Sequence, residues 1–154
     1  MKSIISGEEG AQLDRLDYAR KTPESIERKI RSIMAENPGM TAEDAAKNIR
    51  DSVRYTAVLD EKNFSAQALS THGALVKSGY QPVGTPSNYF AQNGKKVGYG
   101  GINAKYRDPK TGVDFELQFH TRDSLRIAEL NHKEYEIVRV TKDPWVATRL
   151  TKVM

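Results

Sequence analysis

The chain has 154 residues, one domain's worth of sequence and enough to bury a core without covalent staples. It has no cysteine, which excludes disulfides, thiolate metal sites and a cysteine nucleophile, and its three histidines, at 72, 120 and 132, leave little for zinc. Lys plus Arg is 24 against Asp plus Glu 20, a net charge of +4 that suits a phosphate-bearing ligand without demanding one; no apolar stretch approaches the ~20 residues of a membrane span.

Residues 1–16 read as a poorly ordered or helical N-terminal segment, and 17–154 as a single domain. Thr22-Pro23-Glu24 starts a helix, with Thr as cap, Pro at the first helical position and acid in the first turn. Ile26, Ile30, Ile33 and Met34 repeat on one face of it, and Asn37-Pro38-Gly39 ends it. A second helix begins at Thr41, with Asp44 in the capping-box position. Ser52 to Leu59 alternates as a strand. A helix over about 65–77 comes next, with Ala68, Leu69, Leu75 and Val76 as its buried side. Tyr80 to Val83 is a second strand, and 84–98, rich in Pro, Asn and Gly, is a loop with a turn at Asn93-Gly94. Ile102 to Tyr106 and Val113 to His120 form strands joined by the turn Asp108–Gly112. Thr121 or Asp123 caps a long helix to about Arg139, and a last short helix begins at Pro144. This order predicts an α+β domain: a mixed, antiparallel-rich sheet of about five strands with helices packed on one face.

The strand ending at His120 divides its chemistry. Phe115, Leu117 and Phe119 face one way; Asp114, Glu116, Gln118 and His120 face the other, roughly 7 Å apart per pair of residues. A solvated outer face explains that polar row, and so does an active-site face. Glu116 and Asp51 share a divalent ion if their strands are neighbours, since Mg²⁺ takes one or two carboxylates plus phosphates; two surface acids explain the same pair. Gly98-Tyr99-Gly100-Gly101 exposes a ring on a turn for stacking on a base, or packs it in an ordinary hairpin. Lys21 and Lys29, about 12 Å apart along a helix, flank a polyphosphate with Arg20 beside them, or decorate a helix surface. A second basic group, Lys95, Lys96, Lys105, Arg107 and Lys110, is compatible with RNA or with plain solvation. No P-loop, GxSxG elbow or HExxH is present.

Taken in order, these signals resemble the RelA/SpoT-type alarmone synthetase domain, related in fold to the nucleotidyltransferases. The likeness covers about 17–139 and is most specific in GYGGIN at 98–103 and FELQFHT at 115–121; with RYT at 54–56, the longer run looks most like the compact versions found in bacterial toxins and effectors. The resemblance implies that Lys21, Lys29 and Arg20, with Arg54 in the first strand, bind ATP. It implies that Asp51 and Glu116 are catalytic and hold Mg²⁺, and that Tyr99 stacks on the acceptor purine, with Asn103, Gln118 and His120 at acceptor-side positions. Departures cluster on that side. Asn103 stands where His is usual, His120 where Arg is common, and Asn131-His132 replaces a Glu-His pair. Asp51 also lies nearer to Arg54 than the family spacing.

The activity that the resemblance implies is that of a pyrophosphokinase, which moves the β,γ-pyrophosphate of ATP to the 3′-hydroxyl of an adenine or guanine nucleotide. It would serve as an antibacterial toxin acting in the bacterial cytoplasm, delivered as part of a secreted effector and neutralised by an immunity or antitoxin protein. Pyrophosphorylation of the tRNA 3′ end and a non-catalytic nucleotide-binding module of a phage or secreted protein are the alternatives. No membrane partner is expected.

Overall fold

The computed structural model describes residues 2–7, 11–14, 16, 19–49, 53–90 and 100–140. Asp51, Tyr99, the expected turn at Asn93-Gly94 and the expected helix from Pro144 lie outside them. The chain runs α1 (Lys2–Ser6), β1 (Gln12–Asp14), α2 (Pro23–Glu36), α3 (Ala42–Lys47), β2 (Arg54–Val58), α4 (Phe64–Lys77), β3 (Gln81–Pro82), β4 (Ser87–Asn88), β5 (Ile102–Arg107), β6 (Asp114–His120) and α5 (Arg122–Val140).

The strands form one six-stranded sheet in the order β1-β2-β6-β5-β3, with β4 also paired to β5. Among the described strands only β2 and β6 run parallel; the other pairs are antiparallel. The architecture is therefore α+β with a mixed sheet. The β5–β6 hairpin closes at Asp108–Gly112, where the Asp108 carboxylate accepts from the amides of Lys110 (2.7 Å) and Thr111 (3.3 Å). Gly112 sits at φ 69°, a left-handed conformation that glycine adopts without strain.

The apolar face of the sheet meets α4 and α1. Ala57, Ala104, Tyr106, Phe115, Leu117 and Phe119 bury there against Leu75 of α4 and Ile5 of α1. Phe115 lies at the centre of three aromatic contacts, with Tyr55 and Tyr80 edge-on at 5.7 and 5.8 Å and Tyr106 stacked at 5.8 Å. Lys2–Ser6 and Gln12–Asp14 thus contribute a helix and an edge strand to the same layers, and Arg122 donates to Asp14 across 2.7 Å, tying β1 to the start of α5.

The caps expected for α2 and α3 form. Thr22 accepts from the Ser25 amide at 3.3 Å, with Pro23 opening α2; Thr41 accepts from the Asp44 amide at 3.1 Å while its hydroxyl donates to the Asp44 carboxylate at 2.8 Å. The burial of two helices differs from expectation. None of the α2 residues is buried, because α2 packs chiefly on α3, which leaves Ile26, Ile30, Ile33 and Met34 half-covered. On α4, Thr71 and Leu75 face the core, whereas Leu69 is 72% exposed and Val76 also faces outward. The short run of small residues on that helix is apolar nearly all round, so its pattern does not choose a face.

Candidate active site

Alternation along β6 sends Phe115, Leu117 and Phe119 into the core and Glu116, Gln118 and His120 to the opposite face. Pairing then sets their neighbours. One row across three strands reads Arg54, Glu116, Lys105; the next reads Thr56, Gln118, Asn103, Ser87. Residues paired in this way have Cβ atoms about 5 Å apart on the same face. Since β2 and β6 are neighbours, the condition for a shared ion between the segment before β2 and Glu116 is met at the level of the strands: the Glu116 amide donates to the Val53 carbonyl at 2.9 Å.

The polar row is buried. Glu116 is 7% exposed, and its Oε1 accepts from Gln118 Nε2 at 2.7 Å. Arg54 Nε lies 2.9 Å from the same oxygen, close enough for an ion pair but not aligned as a hydrogen bond. A carboxylate carried out of bulk water needs such partners, a cation and an amide donor, to offset its lost hydration. Both described contacts use Oε1.

Glu116, Asn103 and Lys105 line a cleft of about 350 Å³ whose other wall is the segment 83–89, with Val83, Gly84, Thr85, Ser87 and Tyr89. The structure thus brings Glu116 and Asn103 to one cavity, with Arg54 and Gln118 against the same carboxylate. Arg20, Lys21 and Lys29 do not line it. Arg20 and Lys21 belong to the approach to α2 and Lys29 to α2 itself; the approach lies beside β2 through the Arg20–Val53 bridge and the Arg54 amide on the Ala19 carbonyl at 2.7 Å. His120 has no exposed surface. Its Nδ1 is 3.0 Å from Ser124 Oγ and its ring lies against the Gly101 backbone, so it is packed into the fold on the same face as Glu116.

Two glycines allow that packing. A Cβ on Gly101 would come to 2.8 Å from His120 Cε1, and one on Gly100 to 2.8 Å from Phe90 Cε1. The Gly101 carbonyl accepts from the Tyr89 amide at 2.9 Å, so the start of β5 also holds the far wall of the cleft. Thr85, Ser87 and Tyr89 are not legible as site residues in the sequence, and Lys105 is legible only as one of a basic group. Lys105 stands in phase with Asn103, but its partner across the sheet appears only with the register. The β4 pairing is two residues long, too short to leave a periodic signal.

Among the described residues no group of three or more His, Asp or Glu side chains converges, and Glu116 is the one buried carboxylate, a hard oxygen donor of the kind Mg²⁺ takes. Among the described residues no helix is long and apolar enough to cross a membrane.

No protein-family model matches the sequence, and no curated protein matches it. Solved structures do. A GTP pyrophosphokinase family protein from Streptococcus pneumoniae aligns with 92% of this chain and 66% of its own, at 18% identity and a TM-score of 0.58. The small alarmone synthetase 1 of Bacillus subtilis aligns at 15% identity and 0.61 over 92% of this chain and 69% of its own. The same protein bound to its product pppGpp aligns at 15% and 0.58, over 92% and 68%. The type VI effector Tas1 in complex with its immunity protein aligns at 20% and 0.47, over 93% and 78%. The chain has the fold of the compact alarmone synthetases and spans about two thirds of the length of these proteins.

Proposed function

We propose that this protein is an ATP-dependent pyrophosphokinase that transfers the β,γ-pyrophosphate of ATP to the 3′-hydroxyl of a purine nucleotide. The observation that carries the reading is Glu116: a nearly buried carboxylate lining a polar cleft, flanked in one register row by Arg54 and Lys105. The synthetase fold supports it. The transfer needs positioning and neutralisation of spread negative charge more than covalent chemistry, so a chain with no cysteine and no nucleophilic triad suffices.

In this reading Lys21, Lys29 and Arg20 receive the ATP phosphates beside β2, with Arg54 between them and the carboxylate. Tyr99 stacks on the acceptor base, and Asn103 and Gln118 orient the acceptor ribose. The acceptor 3′-oxygen bonds to the β-phosphorus of ATP, the bond from that phosphorus to the α–β bridging oxygen breaks, and AMP leaves with that oxygen. The hydroxyl proton passes to the Glu116 carboxylate or to solvent. Glu116 and Asp51 would hold Mg²⁺, which when bound offsets phosphate charge. The acceptor under this proposal is an adenine or a guanine nucleotide. The role is that of an antibacterial toxin in the bacterial cytoplasm, delivered within a secreted effector and met by an immunity or antitoxin protein. That role rests on the likeness of the 98–121 run to compact toxin versions.

The test is product formation. Purified protein with labelled ATP and Mg²⁺ is given GDP, GTP, ADP, ATP or tRNA in separate reactions. The expected result is AMP together with a 3′-pyrophosphorylated purine nucleotide, and a loss of about 100-fold or more in rate for Glu116→Gln at an unchanged melting temperature. Product on tRNA alone would move the activity to RNA. No ATP-dependent product with any acceptor would leave a nucleotide-binding module. A near-normal rate from Glu116→Gln would remove the mechanism.

A further inference from the structure

We propose that Lys105 is a specificity-determining residue that makes a phosphorylated nucleoside, and not a bare one, the acceptor. This rests on the pyrophosphokinase reading. Lys105 is pinned to the cleft face by its neighbours: Ala104 and Tyr106, at 3% and 1% exposure, point into the core, so the pleat sends Lys105 the other way. Its register partner is Glu116. That carboxylate is already charge-matched by Arg54 from the opposite strand, at 2.9 Å. The row Arg54, Glu116, Lys105 therefore carries two cations for one anion. Glu116 is the only carboxylate among the described residues that line the cleft, so the excess positive charge falls on the Lys105 side.

Position decides which phosphate answers it. The cations read as ATP-binding approach from beside β2, while Lys105 stands on β5, with the Glu116 strand between them. A transfer centred on Glu116 then has its donor on one flank and its acceptor on the other. The Lys105 flank also carries the hydroxyls of Thr85 and Ser87, which donate to phosphate oxygens as readily as they border a cleft. A charge-assisted contact from an ammonium to a phosphate in a half-enclosed site separates a nucleoside diphosphate from its nucleoside by about tenfold or more.

The experiment is calorimetric titration of the protein held with Mg²⁺ and α,β-methylene-ATP, whose bridge does not cleave. GDP is compared with guanosine, and ADP with adenosine. The wild type is expected to favour each diphosphate by about tenfold or more. Lys105→Gln is expected to cut the preference below about threefold while leaving nucleoside affinity in place, and Lys105→Arg to retain it. Because Lys105 is exposed, both variants keep the wild-type melting temperature. An undiminished preference in Lys105→Gln overturns the proposal, as does a wild type with no preference, or an equal loss for nucleoside and diphosphate. A wild type that shows the preference yet releases no AMP with any acceptor supports the Lys105 site and removes the pyrophosphokinase, which keeps the two failures apart.

Discussion

Tyr106 illustrates how much one side chain of β5 contributes to the core and how it responds to pH. It is 1% exposed, stacks on Phe115, and its hydroxyl is 2.9 Å from His72 Nδ1. Burial pushes the phenol up to about 12 from its ordinary 10. The direction of the effect is set by which state holds the proton longer. Below pH 10 both folded and unfolded chains carry it, and the contribution is complete; between 10 and 12 the unfolded chain ionises first, so folding stability falls. The loss is about 2–3 kcal/mol once pH passes 12. Denaturant titrations from pH 8 to 11 should show stability declining above pH 10, and Tyr106→Phe should remove most of that slope. A slope unchanged in Tyr106→Phe would place the alkaline sensitivity elsewhere; Tyr80, also raised by burial and by nearby Asp108, is the next group to examine. At this scale the site is half legible. Glu116 and Gln118 stand out because alternation separates them from the core residues Phe115, Leu117 and Phe119, whereas Lys105 acquires meaning only from the residue across the sheet.

The elements that frame the cleft depend on close approach. Gly101 opens β5 directly against the His120 ring, which Ser124 holds from the first turn of α5. Gly101→Ala forces a ring that is fully buried to move, at about 1–3 kcal/mol, and displaces the Gly101 carbonyl that secures Tyr89 on the cleft wall. The variant should melt lower and lose activity together. Gly73→Ala, on the exposed side of α4 where a Cβ meets nothing within 4 Å, should instead stabilise by about 0.5–1 kcal/mol. Equal behaviour of the two variants would contradict the packing account. Strong local signals place the capped helices and the β5–β6 hairpin correctly, since caps, the Asp108 turn and strict alternation are properties of adjacent residues. The buried faces of α2 and α4 are not local properties. Leu69 and Val76 look like core and lie outside, because which side of a helix meets the sheet depends on where the sheet runs.

For the whole molecule, the decisive feature is the parallel β2–β6 pair, which brings residues more than 60 positions apart into one register. It places Arg54 on Glu116 and puts the approach to α2 on one side of the carboxylate, with β5 on the other. Closure also draws in the N-terminal segment: Ile5 is fully buried with Leu75, Leu117 and Phe119 in the same core. Ile5→Ala should cost about 2–5 kcal/mol, read as a lower denaturation midpoint at constant slope. A neutral effect would mean that residues 2–6 are not part of the domain core. Local patterning by itself determined the class of the fold, the helix starts, and a strand with a carboxylate and an amide on its polar face, since each depends on spacing within a few residues. Only the tertiary structure decided that β2 lies beside β6, that Lys105 faces Glu116, and that His120 is covered. Those pairings are made between distant segments, where the gain comes from burying whole faces together and leaves no periodic trace in either segment alone.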